Sequence, residues 1–251
     1  MATMQRGGGL LLFAGMVFLW QAAVLLFRPA PFLLPSPVRV AAALYENGSY
    51  LAGNAVITLG EMLVGFAVGC LAGMGIALLM AQSSVLRHIL LPPVVTSQTL
   101  PVFAIAPLLV IWFGFGAGSK IAMAALIIFF PVASSFHDGL MRVDRQWLDL
   151  ARGWGADSAQ LLFRVRIPAA LPSLASGCKI AATLAPIGAI VGEWAGASGG
   201  LGYVMLQANA RMETELVFAS LVLLAVMALL LRFVVAAGAD RMVFWQAVQS
   251  S

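Results

Sequence analysis

The sequence predicts an all-α, polytopic membrane protein with about six transmembrane helices, built as one transmembrane domain over residues 1–251. Of its residues, 62% are hydrophobic and only 10% are charged, and the mean hydropathy is +0.99. A soluble domain carries about 25% charged residues, so this chain has more apolar surface than a core can bury. The apolar residues also form long uncharged runs, as helices that cross a bilayer require.

The first predicted span covers residues 9–27, where Gln21 is the most polar side chain. A signal peptide is the alternative because Arg6 precedes the run, but the run is long and no small-residue cleavage site follows it. Residues 28–37 contain four prolines and predict an extended outer loop. A short helix over 38–46 is expected next.

The second predicted span covers residues 55–80 and carries a stripe of small residues. They recur at every fourth position: Gly65, Gly69, Gly73 and Ala77. Such a stripe lets another helix approach closely, so we expect helix packing here. Glu61 lies on the same stripe, and an ionisable residue inside a span predicts a buried partner or a functional site.

Residues 89–119 carry no charge but contain four prolines. We expect a helix over 90–99, a break at Pro101 and a third span over 102–115. Interrupted membrane helices line cavities, because their freed backbone groups need partners. Gln98 and Pro101 are therefore candidates for the lining or the gate of a pore.

Three further spans are expected over 121–136, 173–191 and 216–231. The fifth contains Lys179 and Pro186, and Pro186 is a further candidate for the pore. A glycine-rich turn over 196–203 follows, and then a polar helix to Glu215.

Two charges bracket the fifth span. Lys179 lies near its inner end, where it can snorkel to the interface or meet the carbonyls of a neighbouring helix. Glu193 lies at its outer end and allows two interpretations. It accepts hydrogen bonds from amides of the glycine-rich turn, which would hold the shape of an outer gate, or it contacts the transported solute.

The most polar part of the chain is an elbow over residues 142–168, which holds five arginines and three aspartates between apolar segments. Apolar residues at helical spacing predict a first short helix: Trp147, Leu150, Ala151 and Trp154. Gly155 permits a sharp turn. Asp157 and Gln160 have the spacing of a capping box that starts a second helix. Pro168 and Pro172 are expected to end that helix.

An amphipathic segment of this kind can simply float on lipid headgroups. Its residues, however, resemble the EAA motif of ABC importer permeases, which reads Glu-Ala-Ala, three residues, Gly, nine residues, then Ile-x-Leu-Pro. The resemblance implies a type I importer permease fold in which the elbow docks into a groove on a cytoplasmic ATPase. It assigns coupling roles to Asp149, Leu150, Ala151, Gly155, Val165, Ile167 and Pro168.

Shorter segments resemble permeases of the nitrate/sulfonate/taurine type: residues 34–37, 191–193 and 200–203. Residues 185–189, 192–194 and 208–212 are similar to permeases for hydroxymethylpyrimidine, a thiamine precursor. Sulfonate, taurine and nitrate are the alternative substrates. The nitrate/sulfonate group more often has a basic residue near the position of Glu61, which argues against a simple oxyanion.

The resemblance also implies the partners of the chain. They are a second permease copy, two cytoplasmic ATPase subunits, an extracytoplasmic binding protein and membrane lipid. ATP and Mg would be bound by the ATPase, so we expect no cofactor or metal on this chain and no enzymatic activity of its own.

The Lys and Arg residues predict the orientation in a bacterial cytoplasmic membrane. Nine lie in segments on the side of the elbow and four on the other side, with Lys179 inside a span. We therefore expect both termini in the cytoplasm. The basic residues are spread over loops rather than gathered in a patch, so no nucleic-acid partner is expected.

Two other classes of protein are the rivals. A secondary transporter could use Glu61 and Glu193 for ion coupling. A membrane-embedded enzyme could use His88 and His137, although no catalytic motif accompanies either histidine.

Overall fold

The computed structural model describes residues 2–244, with side chains from residue 14 onward. Every regular element within this range is helical. The helices are α1 (Ala2–Phe27), α2 (Pro37–Glu46), α3 (Gly48–Gln82), α4 (Ser84–Thr99), α5 (Val102–Phe113), α6 (Ala117–Met141), α7 (Arg145–Gly153), α8 (Ser158–Leu161), α9 (Ile167–Gly196), α10 (Leu201–Ala210) and α11 (Thr214–Met242). The predicted all-α membrane class is confirmed.

Four helical segments are long and apolar enough to cross a membrane, and the bent pair α4–α5 would make a fifth. The four are α3, α6, α11 and the continuous helical stretch Ser158–Gly196. In α1, the part with described side chains, Ala14–Phe27, is apolar but shorter than a span. The crossing by residues 9–27 therefore stays a prediction.

The core of the fold is α6, which packs between α3 and α9. The small-residue stripe of α3 faces α6: a Cβ on Gly69 would lie 2.8 Å from the carbonyl oxygen of Ala125. On α9, a Cβ on Gly188 would lie 2.6 Å from the Cα of Ala124. The packing role predicted for the α3 stripe is confirmed. The matching stripe on α9 was not predicted, although Gly177, Gly188 and Gly192 are visible in the sequence.

The break at Pro101 is confirmed, because α4 and α5 meet there at an angle of 107°. The predicted span over 102–115 is wrong. Helix α5 has 12 residues, or roughly 18 Å at 1.5 Å per residue, against a hydrocarbon core of about 30 Å. It ends at Gly114, whose φ of +77° takes the chain out of the helix. Only together can α4 and α5 form a broken span.

The expectation that Pro168 and Pro172 end the elbow's second helix is also wrong. The chain is helical from Ser158 to Gly196. Pro168 lies in the first turn of α9 and follows a π-helical turn over Leu162–Arg166. Such a wider turn absorbs an irregular hydrogen-bond pattern, and proline is tolerated at the start of a helix. Pro172 lies inside α9, as membrane helices permit.

The polar helix expected before Glu215 is wrong as well. Helix α10 ends at Ala210, and its residues Leu201, Val204, Met205 and Ala208 are buried against its neighbours. Arg211 and Glu213 lie in the short connection to α11, which begins at Thr214.

The segments that were predicted to lie on opposite sides of the membrane lie at opposite ends of the helix bundle. At one end, the Thr214 hydroxyl donates to the carbonyl of Phe32 at 2.8 Å. At the other end, Arg166 of the elbow donates to the carbonyl of Ala81 at 3.4 Å. The elbow therefore lies at the end of the molecule opposite the outer loops.

Candidate coupling and translocation sites

The elbow has the predicted helix–glycine–helix form. Asp144 caps α7 by accepting the amide hydrogen of Gln146 at 3.0 Å. Gly155 has a φ of +84°, a conformation that side chains disfavour. Asp157 and Gln160 then form the predicted reciprocal capping box, with distances of 2.7 and 3.2 Å. Local hydrogen bonds thus fix where each of the two short helices begins.

The apolar stripe of α7 faces away from the rest of the protein. Trp147 is 64% exposed and Trp154 is 84% exposed, whereas Leu148 on the opposite face is buried. Leu150 and Ala151 line a groove of about 460 Å³ together with Val165. The structure therefore brings the two halves of the motif onto one outward surface, which we call the elbow groove.

The remaining motif residues lie beside the elbow groove. Asp149 is exposed and forms an ion pair with Arg152 at 3.0 Å. Ile167 is half-buried and Pro168 is exposed at the start of α9. Gly155 needs no side-chain contact for its role, since a Cβ there would meet nothing within 4 Å. It is the backbone conformation that requires glycine.

A second constellation, which we call the outer cluster, consists of Thr58, Glu61, Lys120 and Glu193. All four side chains are buried. Glu61 and Lys120 form an ion pair at 3.0 Å, which is the buried partner that the sequence predicted for Glu61. Lys120 was counted among the four basic residues on the outer side of the membrane. It belongs to the first turn of α6, where it is only 5% exposed.

Glu193 of the outer cluster holds the beginning of α10. Its carboxylate accepts hydrogen bonds from the amides of Gly202 and Tyr203 and from the Thr58 hydroxyl, the last at 2.6 Å. A carboxylate at a helix N-terminus satisfies orphan amides and complements the helix dipole. Glu193 therefore accepts the predicted hydrogen bonds from the segment around the glycine-rich turn. Its role in shaping an outer gate stays a prediction.

Two residues of α3 complete this cap, and the sequence did not single them out. The Leu201 amide donates to the Thr58 hydroxyl at 2.8 Å, and the Gly200 amide donates to the Asn54 side chain at 2.8 Å. Gly200 has a φ of +107°, and a Cβ there would collide with the Glu193 carboxylate. In the sequence, Asn54 and Thr58 lie one helical turn apart and precede Glu61, and this spacing could have indicated a polar contact here.

We expect Glu193→Gln to cause a mild loss of uptake for every substrate, because the amide keeps one acceptor at the α10 amides. Glu193→Ala removes all the acceptors and should cost more, about 1.5–3 kcal/mol of stability for each hydrogen bond lost to a charged group. Uptake of several substrate analogues and thermal unfolding of the purified permease measure both effects. A changed rank order among analogues would support substrate contact instead.

Lys179 meets a carboxylate and not the carbonyls that were predicted. Its amino group lies 2.6 Å from Asp240 of α11. Asp240 was not predicted as the partner of Lys179, although it is the one acid in the second half of α11. This pair ties α9 to α11.

Gln98 lines a cavity of about 420 Å³ between the α4–α5 break, α6 and α9, which we call the central cavity. Val102, next to Pro101, also lines it. Pro186 is buried within α9 and is not part of this lining. Six residues were predicted as possible parts of the pore or gate: Glu61, Gln98, Pro101, Lys179, Pro186 and Glu193. Within residues 14–244, Gln98 lines the central cavity, Pro101 adjoins it through Val102, and the other four do not line it.

The fold, the elbow and the apolar spans together define a membrane permease of the ABC importer class. The family described as the inner membrane component of binding-protein-dependent transport systems matches residues 65–243. The chain belongs to this family. Its relatives include permeases named for aliphatic sulfonates and taurine, which agrees with the resemblance to the nitrate/sulfonate/taurine type.

Several relatives match most of the chain. A probable ABC transporter permease of Haemophilus influenzae is 46% identical over 89% of this chain and 91% of its own. The formylaminopyrimidine transport permease ThiX of Halalkalibacterium halodurans is 35% identical, over 88% of both chains. The riboflavin permease RibX of Chloroflexus aurantiacus is 35% identical, over 91% and 86%. A putative aliphatic sulfonate permease of Bacillus subtilis is 33% identical, over 87% and 80%.

Solved structures share the fold. An inward-facing structure of the MetNI methionine ABC transporter matches with a TM-score of 0.66 and 20% identity, over 76% of this chain and 95% of that chain. An amino acid ABC transporter structure matches with a TM-score of 0.65 and 18% identity, over 80% and 97%. The predicted type I importer permease fold is confirmed.

Proposed function

We propose that this chain is the permease subunit of an ATP-driven importer that brings a pyrimidine precursor of thiamine into the cytoplasm. Membership of the permease family supports the transport role. The segments at residues 185–189, 192–194 and 208–212, together with the similarity to a formylaminopyrimidine permease, support the substrate. The observation that carries the coupling mechanism is the elbow groove, whose tryptophans are left exposed.

In this proposal the permease works as a homodimer in the cytoplasmic membrane, with both termini in the cytoplasm. Two ATPase subunits bind the elbow grooves, and a binding protein delivers the solute from outside. ATP and Mg act on the ATPase, and this chain holds no cofactor. Closure of the ATPases moves the elbows together. The closely packed layer of α3, α6 and α9 then moves as a unit, because its helices touch at backbone level.

Gly155→Val tests the coupling. The strain of a β-branched residue at a φ of +84°, about 1–3 kcal/mol, should turn the elbow and separate transport from ATP hydrolysis. We expect normal membrane insertion, with uptake or ATPase binding lost. Gly153→Val is the matched control, because Gly153 is helical and a Cβ there meets nothing within 4 Å. Normal uptake and ATPase binding in Gly155→Val would refute this role.

Sulfonate, taurine or nitrate is the second candidate substrate, and the similarity to a sulfonate permease favours it. The carboxylate of Glu61 does not argue against an oxyanion substrate, since it is paired with Lys120 and does not line the central cavity. A ligand screen on the partner binding protein, followed by uptake of the ligand found, decides between the two substrate classes.

A secondary transporter is the more distant alternative. Ion coupling needs carboxylates that a translocation path can reach, whereas Glu61 and Glu193 are buried and hold partners. An enzyme based on the two histidines has little support, because His88 contacts its own helix at Ser84 and His137 lies beside Asp138. Purification of the tagged permease together with an ATPase and a binding protein would separate the importer from both.

A further inference from the structure

The central cavity has the volume and the lining of a pocket for a small solute. Its volume of about 420 Å³ lies at the lower end of the range of ligand pockets, about 300–1,000 Å³. The lining consists mostly of aliphatic side chains with a few polar groups, which is the usual composition of such pockets.

The polar side chains of the cavity come from two helices, α4 and α6, and include unused hydrogen-bonding capacity. Gln98 of α4 and Ser134 and Ser135 of α6 line it. Within residues 14–244, these three side chains make no hydrogen bond. Ser97 donates to the carbonyl of Val94 at 2.7 Å, which leaves the lone pairs of its oxygen as acceptors.

Pro131 adds a backbone acceptor. A proline inside a helix has no amide hydrogen, so it cannot bond to the carbonyl four residues earlier. In α6 this is the carbonyl of Ile127, and both residues line the central cavity. Phe130 lies between them in the lining and offers an aromatic face to a planar ring.

Within residues 14–244, the lining contains no Lys, Arg, His, Asp or Glu. A charged solute would therefore lose its hydration without gaining an ionic partner, which is costly. The N-terminus of α5 at Val102 offers an anion only the partial charge of a helix dipole. An uncharged solute with both donors and acceptors fits these groups better.

We infer that the central cavity is a transient binding site for an uncharged aminopyrimidine, with Gln98 and Ser134 as its hydrogen-bonding side chains. The inference rests on the proposed function and adds the place where the solute is held during passage. The Gln98 amide can pair with the donor and acceptor edge of the ring, and the carbonyl of Ile127 can accept from the exocyclic amine.

The test uses the full transporter, with its ATPase and binding protein, in proteoliposomes. ATP-driven uptake of labelled hydroxymethylpyrimidine and of an analogue without the exocyclic amine is compared between wild type, Gln98→Ala and Ser134→Ala. The binding protein is the same in every sample, so its own selectivity cancels. Ser176→Ala is the control, since its hydroxyl bonds to its own helix at Pro172 and does not line the cavity.

We expect each cavity variant to lower pyrimidine uptake about three- to tenfold, the effect of one hydrogen bond, and to reduce the discrimination between the two solutes. ATP hydrolysis stimulated by the binding protein should persist, which shows that the variant is folded and assembled. The control should match the wild type. If the cavity variants import both solutes normally, or lose uptake and ATP hydrolysis together, the cavity site is refuted. If the wild type imports no pyrimidine, the proposed function fails and the inference fails with it.

Discussion

Lys120→Met should destabilise the permease by about 3–5 kcal/mol, because it leaves the Glu61 carboxylate buried without its cation. The pair distance is 3.0 Å, and the two side chains are 6% and 4% exposed. The outer cluster holds a second carboxylate, Glu193, so the loss of the ammonium also removes the only positive charge among its four members. Thermal unfolding of the purified protein and the yield of folded protein measure the effect.

The matched control is the double variant Lys120→Met with Glu61→Gln. Replacing both members removes the uncompensated charge, and such replacements of buried pairs are often close to neutral. We therefore expect the double variant to recover most of the lost stability. A single variant as stable as the wild type, or a double variant as unstable as the single one, would contradict the interpretation of the pair.

Gly69→Val should disrupt the packing of α3 on α6. A Cβ at this position would lie 2.8 Å from the carbonyl oxygen of Ala125 and 2.8 Å from the side chain of Ile128. The first of these atoms belongs to the backbone of another helix, so relief requires that the two helices separate. We expect a cost of about 1–3 kcal/mol or more, as for an overpacked core, together with reduced transport.

Gly75→Val in the same helix is the control. A Cβ there meets nothing within 4 Å, so the substitution adds only surface that lipid can cover. Its stability should remain within about 0.5 kcal/mol of the wild type, as for other surface substitutions. Equal effects at the two positions would show that the stripe is not a close-packed contact.

Much of the elbow could be predicted because its signals are local. The capping box needs Asp157 and Gln160 three residues apart, and the turn needs a glycine at 155. The structure contains both features. The helix ends were harder to predict, since a proline in the sequence usually indicates the end of a helix. Pro168 follows a π-helical turn and lies in the first turn of α9, where its missing amide hydrogen is not needed, so the helix continues.

The partners of the charged residues could not be predicted from the sequence. A buried partner was predicted for Glu61 but could not be identified. Lys120 is separated from Glu61 by two helices, α4 and α5, and was counted only as a charge on the outer side of the membrane. Lys179 likewise meets Asp240, which lies two helices later. Spacing rules describe neighbours on one helix, whereas these pairs depend on how different helices are placed side by side.

The sequence alone determined the membrane class, the helical content, the glycine elbow and the small-residue stripe of α3, because each depends on composition or on residues within a few turns. Only the tertiary structure decided that α6 lies between α3 and α9, that Thr58 of α3 takes part in the cap of α10, and that Gln98 and Ser134 line one cavity. These features join helices that are distant in the chain. The packing of backbones at small residues brings them together, and no local pattern specifies which helices meet.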